Sequence, residues 1–487
     1  MDTPVLGESH TLKYITFDKG CGGMFGKAEK FHLIGIGGYG MSGLARLLLD
    51  LGYTVSGSDL APSDITRHLM EMGAEITFAH DVKNVEGRDV VVYSTAIPEE
   101  NAELRAGRAK CKVLHRSELL AQFLNAKKGI AVTGAHGKTT TTTMLALIME
   151  RAGWDPTALI GGEVQDFSGT ARLGRGEYVV AEADESDQSF ARYRPWYAII
   201  TNVEPDHLEH YDGSFARLLR GYADFVGNIR PQGLLVYSAH DESARDIAQK
   251  ARCQTITFGI GAGDYRAEDV QLQALTGRFQ LVRHNSPLGV IDLRAPGRHN
   301  VLNAVAAAAL ALELGIDFSA VQAALAAFKG ARRRFEVLAR EPYMVVDDYA
   351  HHPTEIRATL AAAAGAGRKR IIAVFQPHRY TRTQYFMEEF AASFARADIV
   401  VVDDIFPASE QPIPGVDARI LAGKIAARHC GPVLHISGLD AIVQWVSNAW
   451  QPGDLIITMG AGDICKAGRK LAEIAQRLAG DSLPKVE

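Results

Sequence analysis

Several features that would point to other classes of protein are scarce or absent in this 487-residue sequence. It has five cysteines and no Cys-x-x-Cys pair, so neither a disulfide framework nor a thiolate zinc site is indicated. No apolar run approaches the length of a membrane span, and the N-terminus lacks the apolar segment of a signal peptide. Charge is nearly balanced, since 57 acidic and 52 basic residues leave a net −5 without the basic excess of nucleic-acid-binding proteins. These absences predict a protein of the reducing cytoplasm that binds neither membranes nor nucleic acid.

Glycine, in contrast, is abundant, and many of the 47 glycines follow short apolar runs. Such runs, separated by stretches long enough for amphipathic helices, are typical of buried parallel strands with crossover helices. The predicted strands include Phe31–Ile36, Gly129–Thr133, Tyr178–Ala181, Ala198–Thr201, Ile371–Phe375, Ile399–Val402 and Leu455–Met459. We therefore expect an α/β fold with ligands at the carboxyl ends of the strands.

Length and composition predict three domains, since a domain has about 150 residues. Composition changes near Asn125–Gly129 and again at the arginine cluster in Ala331–Phe335. Gly277–Leu293, with the turn-forming Asn285-Ser286-Pro287, is predicted to be an antiparallel hairpin appended to the second domain. The predicted limits are residues 1–127, with an extension at 1–30, then 128–333 and 334–487.

The first domain has a Gly-x-Gly-x-x-Gly turn between a predicted strand and a predicted helix. Its glycines are Gly35, Gly37, Gly38 and Gly40. A turn of this kind lets a diphosphate approach the free N–H groups of a helix N-terminus. Asp59 follows the next predicted strand, where a ribose-binding acid would lie. The motif leaves NAD(P), another nucleotide and a tight turn without a ligand as alternatives.

The second domain contains a shortened phosphate-binding loop. Thr133-Gly134-Ala135-His136-Gly137-Lys138-Thr139-Thr140 follows a predicted strand and opens a predicted helix, but Val132 stands where the usual first glycine would be. In such loops the backbone N–H groups hold phosphate, the lysine reaches the β- and γ-oxygens, and the hydroxyl binds Mg²⁺. A threonine-rich helix start is the alternative, but it does not explain the Gly-Lys pair. The loop predicts ATP binding.

Carboxylates follow two further predicted strands. Glu182, Asp184, Glu185 and Asp187 come after one strand, and Asn202 to His207 come after the next. A group of carboxylates this dense repels itself unless a cation lies among them. We therefore expect Glu182 and His207 beside the phosphates, with a solvated acidic loop, or zinc at the His207-x-x-His210 pair, as alternatives.

Two more strand ends carry polar residues in the third domain. Asp347 to Glu355 includes paired aspartates and histidines, which alone would also suit a metal-dependent phosphoesterase. Arg379 and Arg382, three residues apart, instead favour a bidentate clamp on a carboxylate or phosphate.

Taken together, these motifs resemble those of the Mur ligases, in the order of that family and over nearly the whole chain. The matching stretches are Gly35–Gly43, Thr133–Thr142, Glu182–Ser189, Asn202–His207, Gly297–Asn303, Arg333–Phe335, Asp347–Glu355 and Phe375–Thr383. The resemblance implies a Rossmann-like N-terminal domain, a P-loop-type central ATPase domain with a mixed sheet, and a Rossmann-like C-terminal domain.

The resemblance also implies roles for individual residues. ATP would be held by Gly134, Ala135, His136, Gly137, Lys138, Thr139, Thr140, Asn300 and Asp347, and Mg²⁺ by Thr139, Glu182 and His207. The nucleotide sugar and the incoming amino acid would contact Gly35, Gly37, Gly38, Gly40, Ser42, Asp59, Tyr349, His352, Arg379 and Arg382. Lys138, Glu182, His207 and both arginines would be catalytic. No lysine stands between Glu182 and Lys250, so the carbamylated lysine of other members is not expected.

The implied activity is ATP-dependent joining of L-alanine to the lactyl carboxylate of UDP-N-acetylmuramate, through an acyl phosphate, in peptidoglycan synthesis. The glycine-rich first turn favours this over the recycling branch, which attaches a tripeptide to the same sugar nucleotide. A nucleotide-binding regulator without ligase activity is a third possibility, and the complete set of motif residues argues against it. We expect a monomer or weak homodimer.

Overall fold

The computed structural model of the chain describes residues 29–481, except residues 168, 187, 274 and 409. The predicted extension at residues 1–30 thus falls outside the described residues apart from its last two, as does Asp187 of the acidic run. The described residues form three α/β units in chain order, and the predicted fold class is confirmed.

The N-terminal unit is a five-stranded parallel sheet in the order β3-β2-β1-β4-β5. Its strands are β1 (Lys30–Ile34), β2 (Thr54–Ser58), β3 (Glu75–Thr77), β4 (Val90–Tyr93) and β5 (Lys112–His115). Its helices are α1 (Tyr39–Asp50), α2 (Asp64–Glu71), α3 (Ala102–Lys110) and α4 (Arg116–Ala126). β1 ends two residues earlier than the sequence predicted, because Gly35 turns the chain with φ +73°.

The central unit has a ten-stranded mixed sheet in the order β15-β14-β13-β12-β11-β10-β6-β9-β7-β8. Its strands are β6 (Lys128–Thr133), β7 (Thr157–Val164), β8 (Gly169–Arg172), β9 (Tyr178–Glu182), β10 (Tyr197–Ile200), β11 (Leu234–Ser238), β12 (Gln254–Ile260), β13 (Tyr265–Gln273), β14 (Thr276–Arg283) and β15 (Ser286–Leu293). Its helices are α5 (Lys138–Arg151), α6 (Phe215–Gly227), α7 (Glu242–Ala248), α8 (Arg298–Glu313) and α9 (Phe318–Ala327).

The predicted hairpin is the pair β14–β15, which extends the edge of this sheet in antiparallel register. Its turn lies at residues 284–285, because Ser286 and Pro287 already pair with β14. α5 and α8 supply buried side chains to one apolar core, in which the alanines of α8 are fully enclosed.

The C-terminal unit has a six-stranded sheet in the order β16-β17-β21-β18-β19-β20, with β16 antiparallel to its neighbour. Its strands are β16 (Glu336–Ala339), β17 (Met344–Asp348), β18 (Arg370–Phe375), β19 (Ile399–Val402), β20 (Val433–His435) and β21 (Asp454–Met459). Its helices are α10 (Pro353–Ala364), α11 (Tyr380–Tyr385), α12 (Met387–Ala391), α13 (Ala418–Ala426), α14 (Leu439–Ala449) and α15 (Cys465–Asp481). Among the described residues, no helix combines the length and the apolar character that crossing a membrane requires.

Candidate active site

Loops from all three units enclose one cavity of about 570 Å³. Its walls include the glycine-rich turn after β1, the loop between β6 and α5, the end of β9, and the loop after β17. The predicted site residues that line it are Gly35, Gly38, Gly40, Asp59, Ala135, His136, Gly137, Lys138, Thr139, Glu182, His207 and Tyr349. The expectation that ligands bind at the carboxyl ends of the strands therefore pointed to residues that line this cavity.

The glycine-rich turn is held by the strand beside it. Gly37 N donates to the Asp59 carboxylate at 2.8 Å, and a Cβ on Gly37 would lie only 2.8 Å from the same oxygen. The Asp59 carboxylate thus binds the turn itself in this structure. Ser42 lies behind the turn, where its hydroxyl donates to Tyr39 O at 3.0 Å and contacts Thr170 Oγ1 at 3.3 Å. Ser42 therefore joins α1 to the central sheet and lies outside the cavity lining.

The phosphate-binding loop needs glycine at two positions. Gly134 has φ +130°, and Gly137, which caps α5, has φ +82°. A Cβ on Gly134 would collide with the Thr201 side chain and would meet Asn202 O at 2.8 Å. These close approaches bring the end of β10 against the loop and leave the first turn of α5 open toward the cavity.

Lys138, the first residue of α5, is paired with a buried carboxylate. Its Nζ donates to Glu185 Oε1 at 2.8 Å and to Gly134 O at 2.7 Å. Burial lowers the pKa of this ammonium, but the carboxylates of Glu185, Asp184 and Glu182 outweigh it and leave the pKa above its ordinary value. Lys138 is therefore a cation that faces the place where the loop would hold phosphate.

Thr139 and Glu182 form an oxygen pair beside that lysine. The Thr139 hydroxyl donates to Glu182 Oε2 at 3.3 Å, and Gly161 N donates to Glu182 Oε1 at 2.5 Å. Burial raises the pKa of Glu182, and the Gly161 N–H and Lys138 offset this only in part. A hydroxyl and a carboxylate are the hard oxygen ligands that Mg²⁺ prefers, and this pair fits that ion.

His207 lines the same cavity, but its surroundings differ. Its Nε2 lies 3.6 Å from Asp206 Oδ2, and the other carboxylate oxygen of Asp206 accepts from Arg382 Nη2 at 3.1 Å. Because Mg²⁺ prefers oxygen to imidazole nitrogen, the second metal position stays a prediction from the resemblance. Arg382 is 7% exposed and bonded to the central unit, so in this structure its guanidinium is engaged by protein rather than open to a substrate.

The phosphate-binding loop also contacts the C-terminal unit through His136. Its Nδ1 lies 3.2 Å from Glu355 Oε1, and its Nε2 lies 3.5 Å from Glu204 Oε2. Burial lowers the pKa of His136, but Glu204 and Glu355 raise it to about 10 overall. Within the described part of the chain, His136, Glu204 and His352 form the single group of three side chains close enough to hold a metal ion. The imidazolium of His136 already supplies positive charge to this group of three side chains.

Other predicted residues do not line the cavity. Asn300 bonds Pro296 O at 2.7 Å and Asn303 at 3.2 Å, and Asp347 accepts from Thr458 at 2.6 Å and from Arg333 at 3.1 Å. The predicted positions outside the lining are Gly37, Ser42, Gly134, Thr140, Asn300, Asp347, His352, Arg379 and Arg382. Their roles toward ligands stay predictions.

The cavity also contains side chains that the sequence reasoning did not assign. Arg334 has its guanidinium carbon 5.1 Å from the Tyr349 ring and its Nη1 3.5 Å from Glu355 Oε1. His351 lies beside the same glutamate at 3.1 Å. The further unassigned lining residues with charged or titratable groups are Tyr39, Arg116, Asp184, Asp206 and Glu355. Arg334 belongs to the arginine cluster that marks a predicted domain boundary. The sequence therefore shows the cluster, but it does not show that Arg334 lines the cavity.

Three α/β units around a cavity with a phosphate-binding loop define a nucleotide-binding enzyme of the multidomain ligase type. Family models match the chain in three segments: "Mur ligase family, catalytic domain" at residues 30–128, "Mur ligase middle domain" at 132–311 and "Mur ligase, glutamate ligase domain" at 333–462. The chain belongs to the Mur ligase family, as the resemblance predicted.

Curated relatives cover the chain almost completely. The UDP-N-acetylmuramate–L-alanine ligase of Symbiobacterium thermophilum is 49% identical over 463 residues, which are 93% of this chain and 96% of the relative. The ligase of the same name from Geotalea daltonii is 44% identical over 92% of this chain and 99% of the relative.

Solved structures of ligases match the fold of the chain over most of its length. The UDP-N-acetylmuramate–alanine ligase of Thermotoga maritima has a TM-score of 0.81 at 30% identity, and the match covers 92% of this chain and 99% of that one. A murein peptide ligase of Psychrobacter arcticus has a TM-score of 0.68 at 26% identity over 93% of this chain and 98% of that one.

Proposed function

We propose that this enzyme joins L-alanine to the lactyl carboxylate of UDP-N-acetylmuramate at the expense of ATP, in peptidoglycan precursor synthesis. The names of its relatives support this activity. The observation that carries it is that the glycine-rich turn of the first unit and Lys138 of the phosphate-binding loop line the same cavity. The site proposed for the nucleotide sugar and the site proposed for ATP thus adjoin in one cavity.

The chemistry requires charge neutralisation more than covalent participation. A carboxylate is a poor electrophile, so the γ-phosphoryl group of ATP is first transferred to it, and the amine then displaces phosphate from the acyl phosphate. Lys138 stabilises the charge on the transferred phosphoryl group. Thr139 and Glu182 would hold Mg²⁺, which supplies further positive charge at the phosphates when bound.

The remaining assignments are proposals of the same kind. Asn300 and Asp347 would contact ATP, and His207 would hold a second Mg²⁺. Tyr349, His352, Arg379 and Arg382 would bind the substrate carboxylate and the amino acid, and for Arg382 this means exchanging the Asp206 carboxylate for that of the ligand. We also propose domain limits at residues 127/128 and 333/334, a cytoplasmic location, and a monomer or weak homodimer.

The test is phosphate release from Mg-ATP by the full chain. We expect release that requires both UDP-N-acetylmuramate and L-alanine, with a product heavier than the sugar nucleotide by one alanine residue. Release that depends on the tripeptide instead would make the chain a recycling ligase. Release that is indifferent to both substrates would contradict the ligase proposal.

A further inference from the structure

A buried carboxylate with many hydrogen-bond partners lies behind the first-unit wall of the cavity. Glu103, in the first turn of α3, is 0% exposed and does not line the cavity. Its carboxylate accepts from Ser58 Oγ at 2.5 Å, from Asn84 Nδ2 at 2.5 Å and from Asp81 N at 3.3 Å. Two histidines complete its surroundings: His80 Nδ1 lies at 3.1 Å and His32 Nε2 at 3.6 Å.

This carboxylate is ionised in spite of its burial. Burial raises the pKa of Glu103, but hydrogen bonds from Ser58, Asn84 and His80, with the His32 ring close by, bring it down to about 2. An ionised carboxylate away from water is unfavourable unless donors surround it, so these donors are held in a defined arrangement.

Helix capping does not account for Glu103. The side chain of Asn101 already caps α3, where it accepts from Glu103 N at 2.9 Å and from Leu104 N at 3.1 Å. The Glu103 side chain instead points away from its own helix and collects groups from β1, from the end of β2 and from the loop after β3. It therefore fastens other segments together.

Ser58 connects this cluster to the cavity. It is the last residue of β2, and its backbone oxygen accepts from Gly35 N at 2.8 Å and from Ile36 N at 3.0 Å. The next residue is Asp59, whose carboxylate holds Gly37 N at 2.8 Å. Ser58 thus donates from its side chain to Glu103 and accepts with its backbone oxygen from the glycine-rich turn.

We propose that Glu103 is a positioning residue for the nucleotide sugar: through Ser58 it fixes the glycine-rich turn and Asp59 in the geometry that binds the diphosphate. The proposal rests on the proposed function. Glu103 touches no ligand itself. Its effect is expected on the affinity for UDP-N-acetylmuramate, while ATP, which would bind at the central loop, is unaffected.

The experiment titrates the full chain with UDP-N-acetylmuramate and, separately, with Mg-ATP in a calorimeter. Glu103→Gln keeps the shape of the side chain but replaces one carboxylate oxygen with an NH₂ group, which cannot accept from the surrounding donors. Ser58→Ala removes one of those donors. We expect the Kd for UDP-N-acetylmuramate to rise about tenfold in Glu103→Gln, since hydrogen bonds to buried charges have this scale, and to rise less in Ser58→Ala. Glu75→Gln is the matched control, because Glu75 is an exposed residue of β3 that pairs with Arg88 at 3.0 Å.

The outcomes separate positioning from stability. A higher Kd and KM for UDP-N-acetylmuramate, with unchanged Kd for Mg-ATP and unchanged kcat at saturation, supports the proposal. Unchanged affinity for the sugar nucleotide in folded Glu103→Gln overturns it, and so does an equal loss for both ligands. If Glu103→Gln does not fold, Ser58→Ala decides by the same criteria. Wild-type protein that binds no UDP-N-acetylmuramate would remove the proposed function and this inference with it, whereas active wild type with unaffected variants would remove the inference alone.

Discussion

His136 of the phosphate-binding loop lies 3.2 Å from Glu355 of α10, and this contact joins the central unit to the C-terminal one. Glu355 Oε2 accepts from the backbone N–H groups of His351 at 3.0 Å and of His352 at 3.3 Å. Glu355 therefore also caps the N-terminus of α10. Thr354 adds a bond to Glu204 of the central unit at 2.9 Å. The loop that would hold ATP is therefore bonded to the unit that would deliver the amino acid.

The charge of His136 predicts a pH dependence of stability. The two carboxylates raise its pKa from 6.5 to about 10, so its stabilising effect is fully present below pH 6.5 and is lost as the pH rises toward 10. His136→Asn should therefore lower the melting temperature most near pH 6, and this difference from wild type should shrink steadily up to pH 10.

The exposed His68 of α2, changed to Asn, is the control, because its ion pair with Glu71 is at the surface. A difference between wild type and His136→Asn that stays constant over this pH range would contradict the paired imidazolium.

Lys138→Ala tests the phosphate-binding loop. Removal of the buried ammonium leaves the transferred phosphoryl charge without its cation, and we expect kcat to fall by roughly a thousandfold. Phosphate release under saturating substrates measures this. Lys470→Ala, at an exposed position of α15, should retain full turnover. Turnover of Lys138→Ala close to that of wild type would refute the assignment.

Glu182→Gln tests the oxygen pair. The neutral amide is a weaker ligand for Mg²⁺ than the carboxylate, so the Mg²⁺ concentration for half-maximal rate should rise about tenfold. Titration of the rate with Mg²⁺ at fixed ATP gives this value. Glu177→Gln is the control and should have the wild-type requirement, because Glu177 immediately precedes β9 and pairs with Lys128 at 2.9 Å. An unchanged requirement in Glu182→Gln would exclude Glu182 as a ligand.

Arg379→Ala tests the proposed contact between this arginine and the carboxylate of a substrate. Loss of a clamp on a carboxylate should reduce ligation by about a hundredfold, while the Kd for Mg-ATP stays within about twofold of wild type. Equilibrium titration with Mg-ATP and the ligation assay together separate the two effects. If the affinity for ATP collapses instead, Arg379 belongs to the nucleotide site.

The sequence was informative wherever a strand end carried a motif. Lys138, Thr139, Glu182 and His207 were placed together from the spacing of apolar runs, and the cavity contains all four. Arg382 was also recognised, but its bond to Asp206 was not, because that contact joins residues 176 positions apart in the chain. Nothing in the sequence singles out Glu103, because a glutamate in a predicted helix is expected on the solvent-exposed face. Its burial depends on the fold.

The sequence by itself determined the α/β class, the phosphate-binding loop and the family, because these depend on local patterns: the period of apolar residues, glycines at turns and motif spacing. Tertiary structure alone decided which charged and polar side chains meet. Lys138 with Glu185, His136 with Glu355, and Glu103 with Ser58 are pairs across loops, units and strands. Burial sets the strength of such pairs, and burial is a property of the packed chain rather than of any segment.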